Sequence, residues 1–382
     1  MFPKDFIQNE LNALERDILL RELKTVETPT GRIIKIQGKE YLNFSSNNYL
    51  GLANHPEVIK AVQEGAKKWG TGTGSSRLIS GNMSVHEELE NELARFKGTE
   101  ACLLFSTGFA ANLGAITSLV GKDDAVIIDR LCHASIIDAC NLSEAKLLVY
   151  PHKDYSQLKE ILDTYRNRHK KFLIVTESVF SMDGDLAPLS EIVFLAEEYE
   201  AMTMVDEAHA TGVFGEKGRG LVSELGLEKK IDVIMGTLSK AFGLQGGFIC
   251  GSNELIKYLI NKARSFVYST GLTPLIASGA LKALDLIING KDLRKKLWEN
   301  TDYLKEALKK KELDIGETAS PIIPIIIGST EKALKISRNL MGAGIYVPAI
   351  RFPTVAKDQA RLRISIMATH TKEDLDKLVN NI

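Results

Sequence analysis

The chain has 382 residues, 44% hydrophobic and 25% charged, enough for one large globular domain with a smaller companion. Its 48 lysines and arginines nearly balance 49 aspartates and glutamates, and the net charge of −1 gives no global pull toward nucleic acid or an anionic membrane. The four cysteines, Cys102, Cys132, Cys140 and Cys250, form no C-x-x-C pair, so neither a zinc site nor a disulfide framework is expected and the protein reads as reduced and cytoplasmic.

Met1 to Glu22 mixes both charge signs on a helical pattern and lacks the apolar core of a signal peptide. No stretch approaches the roughly 18–20 apolar residues that span a bilayer, so no membrane is expected as partner. Gly70-Thr71-Gly72-Thr73-Gly74 looks like half of a dinucleotide fingerprint. It follows a helical pattern rather than a strand, and that reading is rejected. From about Ala101 to Cys250, short apolar runs alternate with helical patterns. The expected strands are Ala101–Phe105, Ala125–Asp129, Leu147–Tyr150, Phe172–Thr176, Met202–Asp206 and Asp232–Gly236. Between them lie helical patterns at Gly108–Leu119, Tyr155–Tyr165 and Leu189–Tyr199. Continuous apolar strands separated by helices predict an α/β architecture, a mostly parallel central sheet covered by helices on both faces. Ligands of such sheets collect at the carboxyl ends of the strands.

After Thr273-Pro274 the pattern changes: Leu275 to about Lys311 is nearly all helical, Pro321–Ile327 reads as a buried strand and Lys372–Asn381 as a helix. The expected organisation is an N-terminal helical and hairpin arm (1–40), a large domain (41–280) and a small C-terminal α+β domain (281–382).

Four segments carry candidate chemistry. Ser106-Thr107-Gly108-Phe109-Ala110-Ala111-Asn112 follows a strand and opens a helix, where backbone N–H groups cradle phosphate. An ordinary capped helix start is the commoner use of Ser-Thr-Gly. His133, in Asp129-Arg130-Leu131-Cys132-His133, lies just beyond another strand; a structural histidine is the plainer alternative. Met204-Val205-Asp206-Glu207-Ala208-His209 places two ionisable groups at a strand end. The D-E-A-H tetrapeptide also occurs in helicases, but no G-x-x-x-x-G-K-[ST] loop accompanies it here. In Gly236-Thr237-Leu238-Ser239-Lys240-Ala241-Phe242-Gly243, Lys240 sits just past a strand among small and hydroxyl residues. It is either a surface lysine in a glycine-rich turn or an amine poised to form a Schiff base, with Thr237 and Ser239 near phosphate oxygens.

In their order and spacing, Gly108-Phe109, His133, Ser181 in Phe180-Ser181-Met182-Asp183-Gly184, Asp206 with His209, and Thr237 to Lys240 resemble the α-oxoamine synthase family of fold-type I pyridoxal-phosphate (PLP) enzymes. The likeness runs from Tyr41-Leu42-Asn43-Phe44-Ser45-Ser46-Asn47-Asn48-Tyr49-Leu50-Gly51-Leu52 to Arg361-Leu362-Arg363-Ile364-Ser365. It implies pyridoxal 5′-phosphate as cofactor, carried by Lys240, which later moves the substrate Cα proton. It further implies Asp206 at the ring nitrogen, His209 at the ring oxygen and His133 against the ring face. Gly108, Phe109 and Thr237 would hold the phosphate, with Ser181 beside the cofactor. The family's homodimer shares its active site between subunits, and Thr270 would reach the partner's phosphate. Asn47 and Arg351 are implied for the substrate carboxylate, Arg21 and Thr354 for the acyl-side substrate, and no metal takes part.

The reaction so implied is a decarboxylating condensation of an amino acid, alanine or glycine, with an acyl-CoA or acyl-carrier-protein thioester. Thr73-Gly74-Ser75-Ser76-Arg77-Leu78-Ile79-Ser80-Gly81-Asn82 resembles members that join alanine to a pimeloyl thioester more than those that join glycine to acetyl-CoA, where R-F-I-C-G-T is expected. Catalytically silent subunits of the family lack the cofactor lysine, whereas Lys240 is present. A nucleic-acid-binding role would need an added segment, and the first 40 residues are too few for a winged helix.

Overall fold

A computed structural model describes residues 3–382. Seven strands form the central sheet, in the order Ala101–Phe105, Gly247–Gly251, Val233–Thr237, Met202–Asp206, Phe172–Glu177, Ala125–Asp129 and Lys146–Tyr150. All run parallel except Gly247–Gly251, which is antiparallel to both neighbours. The six expected strands are present within a residue or two. The seventh escapes a pattern search because glycines bound it, and packing demands them. A Cβ on Gly247 would lie 2.5 Å from the Thr107 carbonyl oxygen, and one on Gly251 would lie 2.7 Å from that of Asp232.

The continuous apolar runs follow from burial on both faces. Along Phe172–Glu177, Leu173 and Val175 face a layer containing Ala111, Ile116 and Ile136, whereas Ile174 faces Leu158, Ile192 and Leu195. The chain passes from Ala125–Asp129 to an edge strand on one side and then to Phe172–Glu177 on the other. This reversal opens a crevice at the carboxyl ends. Register brings Glu177 beside Asp206, and Asp206 beside Met235, two residues short of Thr237.

Beyond the central sheet, helices Pro274–Asn289 and Lys291–Lys310 lead to a three-stranded antiparallel sheet of Ile322–Gly328, Ala360–Ser365 and Ala349–Ile350. A third sheet joins the hairpin Ile33–Ile36 and Lys39–Asn43 to Ile345–Tyr346, so residues near 40 pair with the C-terminal part of the chain. The N-terminal helix runs Pro3–Arg16 and stops short of Glu22, because Ile18 turns to φ 57°; Met1 and Phe2 lie outside the described residues. Among the described residues no helix is long and apolar enough to cross a membrane.

The loop after Asp206 is pinned by a buried ion pair. Lys97 Nζ donates to Glu207 Oε2 (2.7 Å), Thr211 Oγ1 (2.8 Å) and the Arg219 carbonyl (2.7 Å), which uses all three ammonium hydrogens. The Val222 N–H donates to Glu207 Oε1 at 2.8 Å. Both side chains are 1% exposed. Such a pair adds little net stability over an apolar pair of equal volume, yet removing one partner strands a charge. Lys97→Met is therefore expected to destabilise the fold by about 3–5 kcal/mol, and Lys97→Met with Glu207→Leu to recover most of that, both read from urea unfolding.

Candidate active site

A cavity of about 220 Å³ opens at the strand ends, and its wall includes Gly108, Phe109, Asn112, His133, Glu177, Asp206, Thr237 and Lys240. Lys240 stands on a closed loop after strand Val233–Thr237: Leu238 N donates to Gly246 O (3.0 Å), Leu244 N to Leu238 O (2.8 Å) and Gly243 N to Lys240 O (2.9 Å). Gly243 takes φ +73°, and a Cβ there would lie 2.2 Å from Ala53 N. Burial lowers the Lys240 pKa to about 8; Asp206 and Glu177 resist this shift, and Arg363 adds to it.

Asp206 anchors a hydrogen-bonded chain. Asn112 Nδ2 donates to Asp206 Oδ2 and to Ser135 Oγ, both at 2.9 Å. Ala208 N donates to Asp206 Oδ1 at 2.8 Å. Ser135 Oγ and Ser135 N meet His133 Nδ1 at 2.8 and 3.2 Å. An N–H pointing at Nδ1 requires a lone pair there, which assigns the neutral His133 proton to Nε2. Burial and Lys240 lower the His133 pKa against the pull of Asp206, keeping the ring neutral near pH 7. His133 also caps helix Ala134–Leu142 at the cavity rim.

Helix Gly108–Leu119 starts at the same cavity. Thr107 Oγ1 accepts from Ala110 N at 3.0 Å, so this segment is a capped helix start as well. The N–H groups of Gly108 and Phe109 have no backbone or side-chain acceptor among the described residues. A Cβ on Gly108 would lie 2.9 Å from Met235 Cε. Thr237 Oγ1 donates to Gly246 O (2.8 Å) and accepts from Ser239 N (3.2 Å), so the hydroxyl of Ser239, 2.6 Å away, is its second donor.

Other expected residues lie further out. His209 is buried with Nδ1 2.7 Å from the Tyr49 hydroxyl. Burial, helped by Lys240 and Arg363, drives its pKa well below 6.5. Ser181 is outside the cavity wall, and its carbonyl accepts from Arg363 Nε. Thr270 is exposed and outside the cavity wall, bridged to Ser76.

For the substrate carboxylate the sequence pointed to Arg351, but the arginine beside Asn47 is Arg363. Its second guanidinium nitrogen lies 3.1 Å from Asn47 Oδ1. It is 7% exposed and has no carboxylate within 4 Å among the described residues. Its strand neighbour Arg361 is already paired with Asp183 at 2.6 Å. Arg351 instead donates to the carbonyls of Ile18 (2.9 Å) and Leu20 (2.8 Å). With Arg21, which donates to Thr354 Oγ1 at 3.0 Å, it lines a separate hollow of about 750 Å³. Asn112, Ser135 and Glu177 line the cavity and were missed as site residues, and Arg363 beside Asn47 was not singled out either. The Arg361–Ser365 run was visible in sequence, but not which of its two arginines lacks a carboxylate partner among the described residues.

The loops of His133 and Ser181 are joined behind the cavity by His152. Its Nδ1 lies 3.0 Å from Asp129 Oδ1 and its Nε2 2.9 Å from Asp185 Oδ2. Burial opposes the charge, but these two carboxylates outweigh it and raise the pKa to about 9.

Pyridoxal phosphate presents a phosphate, a basic ring nitrogen and an aldehyde carbon. The cavity answers these with a helix start bearing free N–H groups, a buried carboxylate and an amine, so the group fits. With the mostly parallel seven-stranded sheet, these features define a fold-type I PLP-dependent transferase. The family model described as aminotransferase class I and II matches residues 39–382, and the chain belongs to that family, within its α-oxoamine synthase branch. It is 48% identical over 372 residues to the 8-amino-7-oxononanoate synthase of Thermoanaerobacter pseudethanolicus, covering 97% of this chain and 94% of that one. The synthase of Thermosipho melanesiensis is 45% identical over 376 residues, covering 98% and 96%. Among solved structures, serine palmitoyltransferase from S. paucimobilis, bound to a PLP–myriocin adduct, aligns with a TM-score of 0.93 and 32% identity over 99% of this chain and 96% of that one.

Because the folded His152 pKa lies above its unfolded value, its contribution to stability is full below about 6.5 and is lost as pH rises through about 9. Allowing for its partial exposure, about 1–2 kcal/mol is expected. Urea unfolding of the wild type and His152→Gln should differ by that amount at pH about 6 and converge above pH about 9.

Proposed function

We propose that the protein joins L-alanine to a pimeloyl thioester with loss of carbon dioxide, giving 8-amino-7-oxononanoate, a step of biotin biosynthesis. The observation that carries this is near-full-length identity of 43–48% to synthases named for that product, combined with one cavity that holds Lys240, Asp206 and a helix start. None of the relatives quoted is a glycine acetyltransferase.

When bound, PLP supplies an electron sink for charge developing at the substrate Cα. Lys240 Nζ would hold it, Asp206 would keep a proton on its ring nitrogen, and the N–H groups of Gly108 and Phe109 would take its phosphate. His133 would lie against the ring, with Thr237, Ser181 and His209 around it. Once free, the Lys240 amine with a pKa near 8 is matched to proton transfer near neutrality. It takes the alanine Cα proton before the carbon–carbon bond forms, and returns one after the thiol and carbon dioxide have left. Arg363, buried without a carboxylate partner among the described residues, would take the alanine carboxylate together with Asn47. Arg21, Thr354 and Arg351 would serve the acyl-side substrate, whether its thiol is CoA or a carrier protein.

A homodimer with a shared site is part of this reading. Ile79 (81% exposed) and Tyr268 (73%) are large side chains that a second copy would cover, near the Thr270 loop that would reach the partner's phosphate. The cytoplasm is the proposed compartment, consistent with four buried cysteines that are all free thiols.

Purified protein given PLP should become yellow, and Lys240→Ala should be colourless after dialysis. L-alanine with pimeloyl-CoA should yield 8-amino-7-oxononanoate by mass spectrometry. Turnover only with glycine and acetyl-CoA would overturn the substrate pair, and failure to take up PLP would overturn the whole reading. Arg363→Gln is expected to raise KM for alanine about 10–100-fold, with a smaller effect on KM for the thioester.

A further inference from the structure

Glu177 has no part in the reaction described above, yet it lines the cavity with Lys240. It ends strand Phe172–Glu177, in register with Asp206 on the next parallel strand, and such strands lie about 4.8 Å apart. Both side chains are buried, at 3% and 6% exposure. Their surroundings differ sharply. Asp206 accepts from Asn112 Nδ2 and Ala208 N, one donor on each oxygen. Glu177 is approached by the His133 backbone N–H, and its Oε1 has no hydrogen-bond partner among the described residues.

Lys240 is the sole cationic side chain in the cavity wall among the described residues. It faces two adjacent carboxylates, and two buried like charges this close do not both ionise readily. The donors decide between them: the charge stays on Asp206. A second observation points the same way. Among the described residues the cavity wall has two unpartnered buried oxygens, Glu177 Oε1 and Asn112 Oδ1. As acceptors both lack a donor, and a proton on Glu177 would convert one of them into one.

We propose that Glu177 works as a neutral carboxylic acid, its O–H on Oε1 donating a hydrogen bond into the cofactor cavity. The groups facing it are Asp206, Asp129, the Cys132 thiol, Lys240 and the backbone of His133. Burial and Asp206 raise its pKa to about 8, and the attraction of Lys240 only moderates this. A protonated Glu177 leaves Asp206 as the single fixed negative charge of the cavity wall and adds a donor where a carboxylate could only accept.

The proposal rests on reading this cavity as the PLP site. Its test uses the holoenzyme prepared with isotope-labelled glutamate. Infrared spectroscopy should show a protonated-carboxyl stretch at neutral pH that is missing from Glu177→Gln. Glutamine keeps the shape, the neutrality and a donor. Glu177→Gln should therefore bind PLP roughly tenfold more tightly than Glu177→Ala, the effect of one buried hydrogen bond, as read from visible absorbance during dialysis. Absence of the carboxyl stretch in a wild-type protein that binds PLP would overturn this proposal alone, as would equal PLP loss in the two variants. A wild-type protein that takes up no PLP would instead overturn the reading of the cavity on which the proposal stands. The wild-type spectrum decides the matter even if neither variant folds.

Discussion

A carboxylate buried at the end of a strand must be met by donors or give up its charge, and the cavity is arranged around that constraint at Asp206. Asn112 reaches it from a helix start, the Ala208 N–H from the turn that follows, and the chain through Ser135 extends the same bonding to His133. One carboxylate thereby sets the rotamer of an asparagine, the role of a serine and the tautomer of a histidine. A cofactor with a basic ring nitrogen would meet a partner whose orientation is already fixed. Little reorganisation would then be needed when it binds.

The surrounding loops are held by charge in the same way. Lys97 and Glu207 clamp the turn between Asp206 and His209 from beneath, while His152 bridges the loops that carry His133 and Ser181. Neither pair touches the cavity. Both fix backbone that loops otherwise leave mobile, and both place titratable groups where hydrophobic packing would give more stability but less orientation. The cavity gathers three strand ends and a helix start. The arginine-lined hollow of Arg21 and Arg351 lies apart from it, on the side of the small antiparallel sheet.

Much of the fold was legible because its physics is local. Strands buried on both faces need unbroken apolar runs, so Ala125–Asp129, Phe172–Glu177 and Met202–Asp206 stand out from the helical patterns between them. Gly247–Gly251 did not stand out, because its glycines answer to the Thr107 and Asp232 carbonyls far away in sequence. The N-terminal helix was read too long because charge pattern alone does not mark where the backbone turns at Ile18. Within the site, Lys240, Asp206, His133 and Gly108 were recognisable as groups at strand ends or helix starts, positions that chain order reveals.

The sequence by itself determined the alternation of strands and helices, the edge of the sheet at which ligands gather and the reactive groups nearest to it. These depend on periodicity and on residues a few positions apart. Tertiary structure alone decided which partners each charge meets. Arg361, Arg363 and Arg351 look alike in sequence, yet the first meets Asp183, the third meets two backbone carbonyls, and the second meets Asn47, Ser365 and the Ser181 carbonyl. Glu177 likewise gains its significance only from register with Asp206 on another strand. Whether a charge is solvated, paired or buried alone is a property of its neighbours in space, and folding chooses those neighbours from distant parts of the chain.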